Sequence, residues 1–404
     1  MKEHRHGRAS RDRNTHLSPD AERLVSAAIA LTASGSRVED RFWEGQLSAK
    51  IEKLLDSSHG QVIEDALERL EKTHGDAYGA LVEAVEAVAE HARVDAETEP
   101  YEVLLVSAPL IAWTRFRIPA GALPAAYSDA LMAHWQAHVL APDVRLRMVP
   151  WLYSLDQLPQ DFAEVRRLTR KLGQSAMTRS TPRLDLKDIP ESAEMLADTR
   201  YLLAAVAVPV GAPIFRWQLT ANAHFATRED CLEAWATQGR PNLEPVLPGC
   251  GFEMLLPDAY HVNLRESDRR IRPYGIRAGV HFLTHALNVT PGQLVAAVAA
   301  FGEDDIDEYR IGISLAGREE VIQGIIWPVL GVESEDIDPT PLDVIRETLR
   351  EAGVTEIRVW KNMVRPDYCE DCGAPLFPNT KDEIVHPEEP EFPDESSTPG
   401  GHFH

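Results

Sequence analysis

From Ser18 to about residue 94, apolar residues recur every three or four positions, which places them on one face of a helix. "SPDAERLVSAAIALTASG" has Ser18 placed as an N-cap, Pro19 at the first helical position and Leu24, Ala27, Ala28 and Leu31 on one side. Gly35 closes it. "RVEDRFWEGQLSAKIEKLLD", "GQVIEDALERLEKTH" and "GDAYGALVEAVEAVAEHA" continue the pattern, so residues 18–98 are expected to form about four helices.

After "VDAETEP" the period shortens. "YEVLLVSAPLIAWTRFRI" reads as a strand, "LPAAYSDALMAHWQAHVLA" as a helix and "VRLRMVPWLY" as a strand. "PQDFAEVRRLTRKLG" is expected to be a helix ending at Gly173. About a hundred residues on, the order recurs in "YLLAAVAVPVGAPIFRWQ", "REDCLEAWATQG" and "FEMLLPDAY". Val208-Pro209 answers Ala108-Pro109, Trp235 answers Trp135, and both halves carry Pro-x-x-Tyr, at Pro150–Tyr153 and Pro257–Tyr260. Two such β-α-β-α units can share one sheet under covering helices, which suggests an internal duplication. "ESDRRIRPYGIRAGVHFLTHAL" is helical material that Pro273 and Gly275 are expected to break. Beyond it, "DEYRIGISLAGREEVIQGIIWPVLG" predicts a hairpin, "TPLDVIRETLREAG" a helix capped by Thr340, and "VTEIRVW" a further strand.

The expected fold is α/β in its central units and α+β overall. Its segments are a basic tail (1–17), a helical region (18–98), an α/β unit (99–178), a linker (179–197), a second α/β unit (198–289), an α+β unit (290–362) and a knuckle with an acidic tail (363–404). A chain of 404 residues has room for two or three cores. No basic start leads into an apolar segment and no apolar run is long enough to span a bilayer, so a soluble cytoplasmic protein is expected, with no membrane. The net charge of −23 argues against nucleic acid as a partner.

Four cysteines in this length do not make a disulfide framework, and in a reducing compartment a C-x-x-C is first a metal-ligand pattern. Cys369 and Cys372 stand in "CEDCG", and thirteen residues separate Cys372 from His386. Zinc takes four ligands, usually thiolate sulfur and imidazole nitrogen. His402 or His404 would supply the last one; alternatively both terminal histidines bind and His386 stays free. A zinc ion here is expected to be structural, because it closes a tail that has no core of its own. The pair follows a proline and precedes "GAPLFPN", which is not the strand-to-helix setting of a thioredoxin-like redox pair.

His134/His138 and His281/His285 lie one turn apart on predicted helices, but the glutamate of a zinc-protease helix is replaced by Trp135 and Phe282. The densest basic segment of this acidic chain is "RESDRRIRPYGIR". Arg265, Arg269, Arg270 and Arg272, with Arg166, Arg167 and Arg170 at the matching place of the first unit, are candidates for an anion site between the units. Internal pairing with the plentiful carboxylates is the competing account of the same residues.

"ASGSRVEDRFWE", "LDLKDIPE", "ADTRYLLAAVAVPVGAP", "GRPNLEPVLPGCGFEMLLPDAY", "DEYRIGIS" and the terminal "YCEDCGAPLFP…HFH" together resemble a bacterial, chiefly proteobacterial, family defined as a domain of unknown function. The resemblance spans nearly the whole chain and implies a stand-alone cytoplasmic bacterial protein. It brings no activity and no catalytic residues. Two functions are therefore carried forward. The first is a zinc-containing, non-catalytic binding or regulatory protein that engages a protein partner or a small anion. The second is an enzyme that acts on an anionic metabolite held by the arginines.

Overall fold

The helices at the start of the chain form where spacing and caps require them. In a computed structural model, which describes residues 17–57, 59–96, 99–180, 182, 189–192, 195–220, 224–331, 333 and 338–388, α1 (Pro19–Thr32) and α2 (Arg37–Asp56) are each capped by a serine. Ser18 accepts from the Ala21 N–H at 3.2 Å and Ser36 from the Glu39 N–H at 3.3 Å. α3 (Gly60–Glu71) and α4 (Gly75–Glu90) complete a bundle whose Leu24, Leu47, Ile51, Ile63, Leu70, Leu81 and Val85 are buried. α4 stops two residues short of the expected end, and the chain passes directly into β1 (His91–Asp95).

The middle of the chain contains β2 (Pro100–Trp113), β3 (Gly121–Ala122), α5 (Ala125–His138), β4 (Arg145–Ser154), α6 (Phe162–Thr178), β5 (Ala197–Pro209), α7 (Arg228–Leu243), β6 (Gly251–Met254), β7 (Asp258–Ala259) and α8 (Tyr260–Ala286). The strands make one antiparallel sheet in the order β1-β2-β5-β4-β3, with β6 and β7 also paired to β2. The two units exchange strands: β4 of the first pairs with β5, and β6 and β7 of the second pair with β2. Period-two alternation sends Val103, Leu105, Leu203 and Ala205 to one face, where they join the α1–α4 core and α6. Val106, Ala108, Leu110, Leu202, Ala204 and Val206 go to the other face, where α5 and α7 bring Trp135 and Trp235 edge-to-face at 5.9 Å.

One expected helix stop proved to be a packing position. α6 runs on to Thr178, and Gly173 lies where a Cβ would meet the Val103 methyls at 2.8 Å. α7 continues past Gly239, where a Cβ would sit 2.6 Å from Trp235 and 2.9 Å from Met254. Trp235 is completely buried and has no room to yield. Gly239→Val should therefore cost about 2–3 kcal/mol through overpacking, read as a lower denaturation midpoint with an unchanged slope.

The predicted break at Pro273 and Gly275 does not occur either, and α8 is continuous for 27 residues. Proline lacks the N–H that would bond the Arg269 carbonyl. Arg272 Nε faces that carbonyl instead at 3.5 Å. Burial outweighs the local defect, because Tyr260, Ile276, Val280 and Leu283 of α8 pack into both sheets. Among the described residues no helix is long and apolar enough to cross a membrane.

The second sheet has the order β10-β9-β8-β11, formed by β8 (Leu294–Phe301), β9 (Glu308–Leu315), β10 (Gln323–Pro328) and β11 (Glu356–Val359), the last parallel to β8. α8 and α9 (Pro341–Glu351) cover one face through Ile276, Val280, Leu283, Ile345 and Leu349. Against β9 and β10 lies a small hairpin, β12 (Phe377–Pro378) and β13 (Ile384–Val385). The architecture is α+β.

Candidate metal centre

The knuckle begins at a tight turn. Cys369 N–H donates to the Ala374 carbonyl at 2.8 Å and Gly373 N–H donates back to the Cys369 carbonyl at 2.8 Å. Gly373 takes φ +72°, a left-handed conformation that glycine adopts without a steric penalty. The turn puts both thiols on the same side. Backbone N–H groups of Cys372 and Asp371, followed by the Cys372 side chain, hold the Cys369 thiol below its ordinary range, as a metal ligand needs.

The third ligand arrives on the hairpin. A tight turn with Asp382 at φ +63° joins β12 to β13 and returns the chain so that His386 follows Val385. His386 Nδ1 lies 2.7 Å from the Pro387 carbonyl. A carbonyl only accepts, so Nδ1 carries the proton and the Nε2 lone pair is free to bind. Nε2 stands 3.2 Å from Cys372 Sγ, and the two sulfurs and the imidazole lie within 4.8 Å of one another. Tetrahedral zinc with bonds of about 2.3 Å to sulfur and 2.0–2.1 Å to nitrogen separates the two ligand types by about 3.6 Å. Small side-chain rotations therefore fit the ion. Among the described residues this is the one group of three such ligands. The other two predicted ligands, His402 and His404, lie outside the described residues.

The knuckle is held to the second sheet by a residue that sequence reasoning passed over. Arg310, on β9, is fully buried. Its Nη1 donates to the Asp367 and Leu376 carbonyls, each at 2.8 Å, on either side of the cysteine turn. Nε donates to Glu308 at 2.6 Å, and the guanidinium lies over Phe301 and Tyr368. Phe377 is seated on Gly324, and the Pro378 carbonyl on Gly312, with no room for a Cβ at either glycine. Gly312 and Gly324 face each other across β9 and β10, so together they floor one slot.

A family model described as "Protein of unknown function (DUF2863)" matches residues 9–402. The chain belongs to the DUF2863 family. No curated protein and no solved structure matches it.

In this DUF2863 chain the arginines of the expected anion site have close neighbours of opposite charge. Arg166 is buried on α6; it pairs with Glu52 and Asp56 and donates to the Val88 and His91 carbonyls. Arg170 pairs with Asp56, and Arg167 lies 3.6 Å from Glu164. On α8, Arg265 pairs with Glu86, Arg269 and Arg270 with Glu266, and Arg272 forks onto both oxygens of Glu333. Each of the seven has a carboxylate partner inside the chain, which the acidic excess makes available. Arg167 alone of the seven lines a cavity of about 550 Å³ between the starts of α3 and α6, beside Glu64 and Asp161. The histidine pairs stack on their helices, His134 on His138 at 6.1 Å and His281 on His285 at 5.6 Å.

A second polar cluster lies where α8 begins against the end of α4. The Glu90 carboxylate accepts from the His261 N–H at 2.9 Å, yet burial dominates and pushes its pKa up to about 7. Burial pushes His261 down to about 4. Nothing in the α4 pattern distinguishes Glu90 from its solvent-facing neighbours, so the sequence carried no signal for this cluster. In the unfolded chain Glu90 ionises near 4.5. Between roughly pH 4.5 and 7 the folded chain keeps a proton that the unfolded chain releases, so the burial penalty grows with pH and is complete above about 7. Glu90→Gln keeps the acceptor and removes the charge. It should leave stability unchanged below pH 4.5 and raise it by about 2–3 kcal/mol above pH 7, by urea denaturation at both pH values. His261 titrates in both proteins and cancels in the difference.

Proposed function

We propose that this chain is a zinc-binding protein with a structural ion, acting as a non-catalytic binding or regulatory protein in the cytoplasm. One observation carries the reading: two sulfurs and one imidazole nitrogen converge within 4.8 Å on a C-terminal segment that has no apolar core of its own. Thiolate and imidazole together suit zinc among the divalent ions, and oxygen-preferring calcium and magnesium do not fit the set. His402 or His404 is assigned the fourth position, which would close the site to solvent chemistry.

A binding role is preferred because the arginines that a metabolite enzyme would use are already engaged with internal carboxylates. Its partner would be another protein or a small anionic ligand. An ancestral duplication of the two central units is also inferred. Its support is the pairing of Leu105 with Ala205, one hundred residues apart, within the β2–β5 ladder, and the contact between the matched Trp135 and Trp235.

Native mass spectrometry of the full chain, purified without chelators, tests the zinc reading. One zinc per chain is expected, lost in Cys369→Ser. A metal-free protein of full secondary structure would reject it.

A further inference from the structure

We propose that Cys369 and Cys372 form a redox switch in which peroxide converts the two zinc-bound thiolates to a disulfide, expels the ion and loosens the hairpin from the second sheet. The inference rests on the zinc reading above and adds a regulator to that site. Three observations carry it.

First, the two sulfurs are close and reachable. Cys372 is exposed and Cys369 half-buried, and their sulfurs lie within 4.8 Å of each other on one turn. A disulfide of about 2.05 Å then needs only rotation of the two side chains and a small closing of the turn. Cys231, by contrast, is buried on the inner face of α7.

Second, oxidation removes both sulfur ligands at once. Each thiolate loses one electron as the S–S bond forms, and hydrogen peroxide takes the pair. With two protons it becomes two waters, and zinc leaves as the free dication. His386 remains, with the one further histidine assigned above, and two imidazoles without a thiolate hold the ion far more weakly than the full set of four ligands.

Third, the ion ties β13 to the knuckle. The β12–β13 ladder has two residue pairs, and beyond His386 the Glu388 N–H donates to the Val321 carbonyl at 2.7 Å, so the ion adds one more tie to a segment held by few backbone bonds. What lies beneath is a slot with a glycine floor, Gly312 and Gly324, filled by Phe377 and the Pro378 carbonyl. Arg310 keeps the first turn in place through the Asp367 and Leu376 carbonyls in either redox state. The switch therefore acts on residues 377–388 and leaves the rest of the second sheet folded.

The test uses the full-length, zinc-loaded protein and hydrogen peroxide. Released metal is followed with a colorimetric zinc chelator, the cysteine peptides by mass spectrometry and the backbone by hydrogen exchange. One zinc per chain should be released as the Cys369–Cys372 peptide becomes lighter by two hydrogens. Exchange across residues 377–388 should rise at least about tenfold. Dithiothreitol with added zinc should reverse all three changes. Cys372→Ser should show no loss of two hydrogens and no peroxide-dependent change in exchange. Zinc retained under peroxide, or released without the disulfide, would overturn the switch and leave the zinc reading standing. A chain without zinc before treatment would overturn both.

Discussion

Replacing Cys372 with serine is expected to lower zinc affinity by at least about 100-fold, since loss of an outer-shell partner alone costs 10–100-fold at such sites. The hydroxyl is a poor ligand at neutral pH, and Cys372 Sγ is the sulfur 3.2 Å from His386 Nε2. Competition with a chelator of known affinity measures the loss. The structural effect should be local. Residues 377–388 should gain hydrogen exchange, while α1–α4 and the seven-stranded sheet keep their protection, because their core contains none of the knuckle residues. Uniform destabilisation of the whole chain would contradict the placement of the ion as a clamp on one segment.

The second large effect is expected at Arg310. This guanidinium is fully buried and serves Glu308, two carbonyls and two aromatic rings. Arg310→Met keeps much of the volume but leaves a partly buried carboxylate and the Asp367 and Leu376 carbonyls without their donor. Removing one partner of a buried ion pair costs about 3–5 kcal/mol, far above the 0–1 kcal/mol of a surface pair. Calorimetry should show the second sheet melting earlier, and zinc affinity should fall although no ligand has been touched. Arg277→Met, which removes an exposed pair with Glu351, is the control and should change little.

Much of this was legible in the residues themselves. Ser18, Ser36 and Thr340 cap helices where the pattern places them. Alternation identified β4, the hairpin reading identified β9 and β10, and the C-x-x-C with a histidine after thirteen intervening residues marked the ligands that converge. The misreadings have physical causes. Gly173 and Pro273 are stop signals in an isolated helix, but tertiary packing outweighs a local cost of about one to three kcal/mol. β8, "LVAAVAAF", went unassigned because a strand buried on both faces has no alternation to detect. Arg310 reads as one more cation in "DEYRIGIS"; only the returning chain, some 57 to 66 residues later, gives it carbonyls to hold. The arginines of α6 and α8 were visible as a cluster, but their partners Glu52, Asp56 and Glu86 lie on helices far away in sequence.

X-ray absorption at the zinc edge on the full chain tests most directly whether one zinc ion is held by Cys369, Cys372 and His386. The spectrum should show a nearest shell of two sulfurs at about 2.3 Å and nitrogen donors at about 2.0–2.1 Å. A shell of oxygens and nitrogens without sulfur, or four sulfurs shared between two chains, would contradict it.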